Sequence, residues 1–456
     1  MKQELIQKYS VAVPRYTSYP PANYFTDNFT RQSYRNAIAD SNVMNPKEIS
    51  FYIHIPFCYK MCHYCGCNAM LLENKEVVDK YMTALKQEIK LILPLLKKNR
   101  KVAQIHYGGG SPTSQPVSVL KEINEMLLEQ FETIDRPEIA IECHPGYLDE
   151  QYWLDLADAG FNRISLGIQD FNVDVMKTSN RKPSRMPVED IVKLLKDKDI
   201  SINMDFIYGL PGQTAESFAD SIRQAIAMRP DRIVTFSYAH VPWVNPAQMK
   251  LEEAGLPDAQ EKNKIYETAK ALLNEAGYKT VGLDHFVLPD DELYKAQQSK
   301  KLHRNFQGYC TRETTGQIYA FGVTGISQLA TAYSQNVKDI DTYIEIINNY
   351  RLPVLKGYHL TDEEQISREV ITSLMCNYTI HWEDIATQFA ISTDEVKTAM
   401  NYDEKALAEF AEDGLIEFDN EHITMLPDAT PFVRIVAASL DKLMLNKDDK
   451  RFSKVG

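Results

Sequence analysis

Four of the seven cysteines lie in one short run, Cys58-Tyr-Lys-Met-Cys62-His-Tyr-Cys65-Gly-Cys67. Thiolate sulfur is soft, and three or four thiolates converging in one loop bind zinc or an iron–sulfur cluster. A structural zinc site on all four cysteines is the plain alternative. Such sites usually pair two ligands in one loop with two far away. Here Cys143, Cys310 and Cys376 are isolated along the chain and offer no second pair.

Other chemistry-bearing residues follow at intervals. Tyr107-Gly108-Gly109-Gly110-Ser111-Pro112-Thr113 holds three glycines, which let backbone approach a ligand closely. A glycine triplet alone more often marks a tight turn. Glu142, Gln169, Asp205 and Tyr238-Ala239-His240 come next. Each sits near the C-terminal end of a different predicted strand, the face where parallel α/β sheets and barrels bind ligands. Taken singly, Glu142 reads equally well as a ligand contact or as a strand-end carboxylate with local hydrogen bonds.

The elements that must position these residues are legible from periodicity. Strands are expected over Ser50–Phe57, Val102–Tyr107, Glu138–Cys143, Arg163–Ile168, Ser201–Ile207 and Arg232–Tyr238. Helices are expected between them at Val77–Leu96, Val117–Phe131, Glu150–Ala159, Val188–Lys196 and Ala215–Met228. A further helix, Ala259–Ala276, leads to strand-like Lys279–Leu283. Strand–helix alternation with apolar strands gives an α/β fold with a parallel sheet, as a six-unit partial barrel or an open doubly wound sheet.

Residues 1–49 read as an extended arm, and residues 50–355 as the barrel with its extension. Residues 356–456 read as a mainly helical domain, with helices at Asp362–Cys376, Trp382–Phe389, Thr393–Met400 and Glu404–Glu412. A hairpin over 414–426 follows, which resembles a winged helix. Acidic residues crowd this module, and the whole chain carries a formal charge of −13, so a nucleic-acid partner is not expected. The N-terminus lacks a signal-peptide core, and no apolar run is long enough to span a bilayer. A cytoplasmic, monomeric protein without a membrane partner is expected.

The three-then-two residue spacing of Cys58, Cys62 and Cys65 is the radical S-adenosylmethionine (SAM) signature. The chain resembles the oxygen-independent coproporphyrinogen III oxidase family over almost its whole length. The matching segments are Pro14–Pro20 (PRYTSYP), Tyr52–Cys67, Tyr107–Thr113, Gly167–Phe171 (GIQDF), Asp205–Pro211 (DFIYGLP), Tyr238–Pro242, Asp284–Phe286 and His303–Tyr309 (HRNFQGY). The resemblance implies a radical SAM partial (β/α)6 barrel with an N-terminal arm and a helical C-terminal domain. It implies oxidative decarboxylation of two propionates of coproporphyrinogen III to vinyls, giving protoporphyrinogen IX in heme synthesis. Three cysteines, Cys58, Cys62 and Cys65, would hold one 4Fe–4S cluster, leaving one iron open to SAM. Reductive cleavage of SAM would yield a 5′-deoxyadenosyl radical. An external electron donor such as flavodoxin or ferredoxin would feed the cluster.

Two molecules of S-adenosyl-L-methionine are implied. Tyr52, Gly109, Glu142, Phe306, Gln307 and Ile326 would contact the cluster-bound one. Tyr64, Gly110, Ser111, Gln169, Arg181, Asp205 and Ala239 would contact the second. Cys67 would be required for the reaction without being a cluster ligand. A tetracarboxylate substrate also needs local cations, and Arg15, Arg181 and Arg304 lie in matched motifs. Arg15 is assigned with Cys67 to the reaction itself. The family's usual valine–aspartate after the strand-three glutamate is Cys143-His144 here, and the usual threonine after the glycines is Ser111. A related group of heme-trafficking proteins shares the three cysteines but typically has an aromatic residue where Cys67 stands. Cys67, Arg15 and HRNFQGY favour the oxidase over a heme carrier.

Overall fold

Runs that alternate apolar and polar residues become the strands of one barrel-like sheet. Six strands form its parallel core: β1 (Glu48–Ile55), β2 (Lys101–Gly109), β3 (Glu132–Cys143), β4 (Arg163–Gln169), β5 (Ser201–Tyr208) and β6 (Arg232–Ser237). The computed structural model describes residues 5, 8, 9, 11–311 and 316–445.

Helices α2 (Lys75–Ile92), α3 (Val117–Leu128), α4 (Glu150–Asp158), α6 (Val188–Asp197) and α7 (Ala215–Met228) connect these strands, with a short α5 (Val173–Thr178) ahead of α6. Helix α8 (Ala259–Glu275) follows β6. Val78, Met82, Leu85, Ile89 and Ile92 form the buried stripe of α2, as their helical spacing requires. In β4 and β5 every second residue is fully buried: Ile164, Leu166 and Ile168, then Ile202, Met204 and Phe206. These face the helices within the main core, at about 1.5–3 kcal/mol of favourable burial each. The alternate residues, Arg163, Ser165, Gly167 and Gln169 with Asn203 and Asp205, are left to line the lumen.

The sheet extends beyond the six-stranded parallel core on both sides. Antiparallel β8 (His285–Val287) and β7 (Lys279–Val281) continue from β6. On the other side β9 (Ile318–Phe321) pairs parallel with β1, and β10 (Ile326–Gln328), β11 (Ala332–Asn336) and β12 (Val354–His359) follow antiparallel. The expected boundary at 355/356 therefore cuts through β12, which belongs to the large sheet.

The N-terminal segment is not simply an extended arm. Residues 31–41 form a helix, α1 (Arg31–Ser41), started by a capping box between Thr30 and Ser33. Its Tyr34, Ala37 and Ile38 join the barrel core. Ahead of it, Tyr9, Val13, Tyr16 and Tyr19 belong instead to the core of the C-terminal domain. That domain comprises α9 (Asp362–Asn377), α10 (Trp382–Phe389), α11 (Thr393–Ala399), α12 (Glu404–Glu412) and α13 (Val433–Leu440). A small sheet of Thr379–His381, His422–Met425 and Ile416–Phe418 completes it, adding one strand to the hairpin expected over 414–426. The Tyr16 and Tyr19 hydroxyls donate to Asp441 (2.9 and 3.1 Å), and Arg434 donates to the Val13 and Pro14 carbonyls (2.6 and 3.1 Å). The arm is thereby fixed to the last helix.

Candidate active site

The cysteine run leaves the C-terminal end of β1 and folds over the lumen mouth. Neighbouring elements hold its backbone. Met70 N–H donates to Pro56 O and Leu72 N–H to Cys58 O, at 2.8 and 2.9 Å. The Asn180 amide donates to Met61 O (2.8 Å), Asn245 to Cys65 O (2.7 Å) and Gln248 to Tyr64 O (3.2 Å). A side chain at Gly110 would start 2.5 Å from Pro56 O and 3.0 Å from Cys58 Sγ, so only glycine lets β2 end against this loop. The glycine triplet is thus more than a turn.

Sheet register gathers the polar strand ends. Tyr52 lies beside His106, Glu142 beside Ser165, and Gly167 beside Asp205. The Tyr52 and His106 rings stack with centroids 5.9 Å apart, and His106 Nε2 is 3.1 Å from Glu142 Oε1. The Ser165 hydroxyl donates to Asp205 (2.6 Å). Burial raises Asp205 to about 6; the Ser165 bond offsets this only in part. Arg181 places Nη1 3.5 Å from Cys62 Sγ and also donates to the Gly167 carbonyl. Gln169 ends β4 in the left-handed region, φ 71°.

These groups line one open cleft. Its walls carry Cys58, Cys62, Cys65 and Cys67, then Tyr64, Gly109, Gly110, Ser111, Glu142, Gln169, Arg181 and Asp205. Tyr52 stands behind this wall against His106. Ala239 follows β6, half-buried, beside Tyr238, whose N–H donates to Tyr208 O (2.9 Å). Phe306, Gln307 and Ile326 are not on the cleft wall. Phe306 and Ile326 pack with Phe25, Tyr333 and Leu360 near β10 and β11, on the β1 side of the sheet. Arg15 is exposed on the arm, and its charge is felt by Asp284 and Lys262. Arg304 lies over the Tyr309 ring at 4.7 Å.

Three participants were not singled out from sequence. Ser165 holds Asp205, and His106 links Tyr52 to Glu142. Lys262 donates to Tyr238 O (2.8 Å), and its stem covers Gly209 at the end of β5. Ser165 and His106 occupy alternate, inward positions of strands already recognised, which was the available signal. Lys262 comes from α8, and nothing in its own segment marks it. His144, one departure from the family pattern, does line the cleft. Burial, and then Arg181, lower it to about 3, so it adds no charge.

The residues suit the cofactors that the cysteine spacing implies. Burial pushes the Cys58 thiol up to about 12, and a bound cation such as iron would favour its thiolate. Gln169 Oε1 and Arg181 Nε are buried at the cleft with no hydrogen-bond partner among the described residues. Buried polar atoms normally find partners, and a polar ligand such as SAM would supply them.

Comparison with known proteins agrees with this geometry. Residues 52–225 match the Radical SAM superfamily and residues 360–429 the HemN C-terminal domain. The oxygen-independent coproporphyrinogen III oxidase of Synechocystis sp. is 36% identical over 98% of this chain and 96% of its own. That of Escherichia coli is 36% identical over 99% and 97%. The solved structure of coproporphyrinogen III oxidase from Escherichia coli, a radical SAM enzyme, superposes with a TM-score of 0.88 at 35% identity, covering 97% of this chain and 99% of that one. Likeness at this level over both chains, with the cysteine loop and strand-end residues in one cleft, shows that the chain belongs to the oxygen-independent coproporphyrinogen III oxidase family.

Proposed function

We infer that this protein decarboxylates two propionate side chains of coproporphyrinogen III to vinyls, giving protoporphyrinogen IX in anaerobic heme synthesis. The observation that carries this reading is the cleft itself. A cysteine loop and buried polar atoms without partners among the described residues, Gln169 Oε1 and Arg181 Nε, line it together.

Cys58, Cys62 and Cys65 hold one 4Fe–4S cluster, and Cys67 serves the reaction without binding iron. The cluster and SAM supply, when bound, the radical chemistry that removes hydrogen from an unactivated carbon. Tyr52, Gly109 and Glu142 contact the cluster-bound SAM from the β1–β3 ends, with Phe306, Gln307 and Ile326 approaching from the β9–β11 side. Tyr64, Gly110, Ser111, Gln169, Arg181, Asp205 and Ala239 bind a second SAM. Asp205, oriented by Ser165, offers carboxylate oxygens to ligand hydroxyls. The guanidinium of Arg181 attracts an anionic group.

Each propionate must lose one hydrogen atom, one electron and carbon dioxide to become a vinyl. No proton has to be drawn off by a tuned base; the substrate carbon has to be placed, within about 3–3.5 Å of the reacting atom. Arg15 on the arm and Arg304 beside Tyr309 hold substrate carboxylates at the mouth. The barrel, the arm and the C-terminal domain together shut out water and oxygen. The protein works as a monomer in the cytoplasm, where thiols stay reduced, and draws electrons from a flavodoxin or ferredoxin.

The test is anaerobic turnover with dithionite, SAM and coproporphyrinogen III. Protoporphyrinogen should form, and deuterium placed on the propionate carbon next to the pyrrole should appear in 5′-deoxyadenosine. Product without label transfer would refute the mechanism. SAM cleavage with intact propionates and tightly bound heme would make the protein a heme carrier.

A further inference from the structure

The chain is acidic, with a formal charge of −13, yet residues 175–188 (VMKTSNRKPSRMPV) hold Lys177, Arg181, Lys182 and Arg185 and no acid. This basic segment lies directly on the cysteine loop. His63 N–H donates to Ser179 O (3.0 Å), and His63 Nδ1 is 3.1 Å from Thr178 O. Asn180 donates to Met61 O, and Arg181 reaches Cys62. Arg181 turns inward, whereas Lys177, Lys182 and Arg185 are exposed. Lys182 Nζ sits 4.5 Å from the centre of the Tyr147 ring, and that ring lies 4.6 Å from Tyr59. Tyr59 follows Cys58 and is 46% exposed; Lys60 beside it is exposed as well. Asp149 lies 3.5 Å from Arg185, and the exposed acids Asp174, Glu189 and Asp190 border the segment in sequence.

Electrons have to reach this loop from outside. Cys143 lies on β3, while Cys310 and Cys376 lie elsewhere in the fold, and all three are buried. They do not supply the ligand set of a second cluster. Electron transfer falls off steeply with distance, so a donor must dock over the cysteine loop itself. Lys60 also lines the cleft, whereas Lys177, Lys182 and Arg185 do not and are poorly placed to hold a small substrate within it.

We propose that Lys60, Lys177, Lys182 and Arg185, set around Tyr59 and Tyr147, form the docking face for an acidic one-electron carrier protein. The proposal rests on the reading of Cys58, Cys62 and Cys65 as cluster ligands. On docking, one electron leaves the reduced carrier and enters the cluster; no covalent bond is made or broken between the two proteins. Complementary charge suits such a contact, because it speeds encounter and orients partners that must also separate. The aromatic pair supplies the flat, partly apolar centre within the basic rim.

The test uses the full chain with its cluster and an acidic flavodoxin as probe. The double variant Lys177→Glu/Lys182→Glu is compared with Lys177→Arg/Lys182→Arg and with wild type at equal iron content. Binding of oxidised flavodoxin is followed by flavin fluorescence at low and high salt. SAM cleavage is measured with reduced flavodoxin and, separately, with dithionite. Reversing the two charges should weaken flavodoxin binding and flavodoxin-driven cleavage by about tenfold or more at low salt, with dithionite-driven cleavage unchanged. The arginine variant should behave as wild type, and wild-type affinity should fall as salt screens the contact. Unchanged flavodoxin affinity in the charge-reversed variant would overturn the proposal. An equal loss with dithionite, together with a higher KM for coproporphyrinogen, would overturn it too, by making the patch a substrate site. If wild type fails to cleave SAM even with dithionite, the cluster reading fails, while the binding measurement still decides whether flavodoxin docks here.

Discussion

The two ends of the barrel lumen are built from the same inward-facing strand positions and treat charge in opposite ways. At the closed end, Glu138 accepts from Gln104 (2.7 Å) and pairs with Arg163, which also donates to Asn203 (3.2 Å). Arg232 pairs with Asp291 (2.7 Å), both nearly fully buried, and reaches Glu292 (2.9 Å). Burial alone would raise Glu138, but Arg163 and then Arg232 hold it well below the ordinary carboxylate range. At the open end, burial instead dominates Asp205 and lifts it to about 6. There Arg181 has no carboxylate ion-pair partner among the described residues; it meets the Cys62 sulfur and the Gly167 carbonyl and lies beside Tyr64. One end is a closed set of partners that holds the strands together. The other is kept incomplete, and its completion is left to what binds there.

The sharpest way to break this contrast is at the cysteines. Cys62→Ser should abolish iron binding and activity together. Cys67→Ser should keep about four irons per chain, as a 4Fe–4S cluster has, yet lose activity; iron loss as complete as in Cys62→Ser would make Cys67 a ligand.

Arginine deletions at the two ends should then part company. Arg163→Met strands Glu138 and should cost about 3–5 kcal/mol in denaturant unfolding. Arg181→Met removes a buried cation with no carboxylate partner among the described residues. It should leave stability of the cofactor-free chain nearly unchanged while SAM affinity falls. Equal destabilisation by both would show the open end to be as structural as the closed one.

Asp205 gives a pH-dependent version of the same test. Its folded value lies above its unfolded one. The stability it contributes is therefore complete below about pH 4 and is lost as pH rises through about 6. The loss is on the order of 3 kcal/mol by neutral pH. Asp205→Asn should remove this part of the profile, raising stability of the cofactor-free chain at pH 7.5 relative to pH 4 while weakening SAM binding. Glu88, raised to about 7 by burial despite bonds from Tyr343, Gly322 and Asn336, titrates in the same sense. The comparison must accordingly be made between wild type and variant. A flat wild-type-minus-variant difference across pH 4–7.5 would refute the assignment.

The smallest stability effect is expected at Glu142, whose side chain is 45% exposed. Glu142→Ala should stay within about 0.5 kcal/mol of wild type, keep its iron, and still weaken SAM binding and slow its cleavage. Unchanged SAM affinity and cleavage would remove Glu142 from the site.

The parallel core was legible because each strand pairs a strong apolar period with a polar residue at its C-terminal end. Glu142, Gln169 and Asp205 could be placed at one mouth from that pattern alone. The strands beyond it were not, since Ile318–Phe321, Ile326–Gln328 and Ala332–Asn336 are short and draw their stability from neighbours rather than from periodicity. Helix α1 was hidden by its polar composition; only Tyr34, Ala37, Ile38 and Ser41 mark its buried face. Phe306, Gln307 and Ile326 entered through resemblance, and the chain's own pattern gives no reason to join them to the glycine triplet.

The bonds from Tyr16 and Tyr19 to Asp441 carry a consequence in time as well as in space. During synthesis the cysteine loop and all six core strands emerge long before residue 441 does. Until then the segment bearing Arg15 lacks its bonds to Arg434 and Asp441 and rests on earlier-made contacts such as that of the Tyr333 hydroxyl with the Tyr19 carbonyl. Truncation just before α13 should therefore loosen the segment bearing Arg15, which limited proteolysis would report as faster cleavage there than in the full chain.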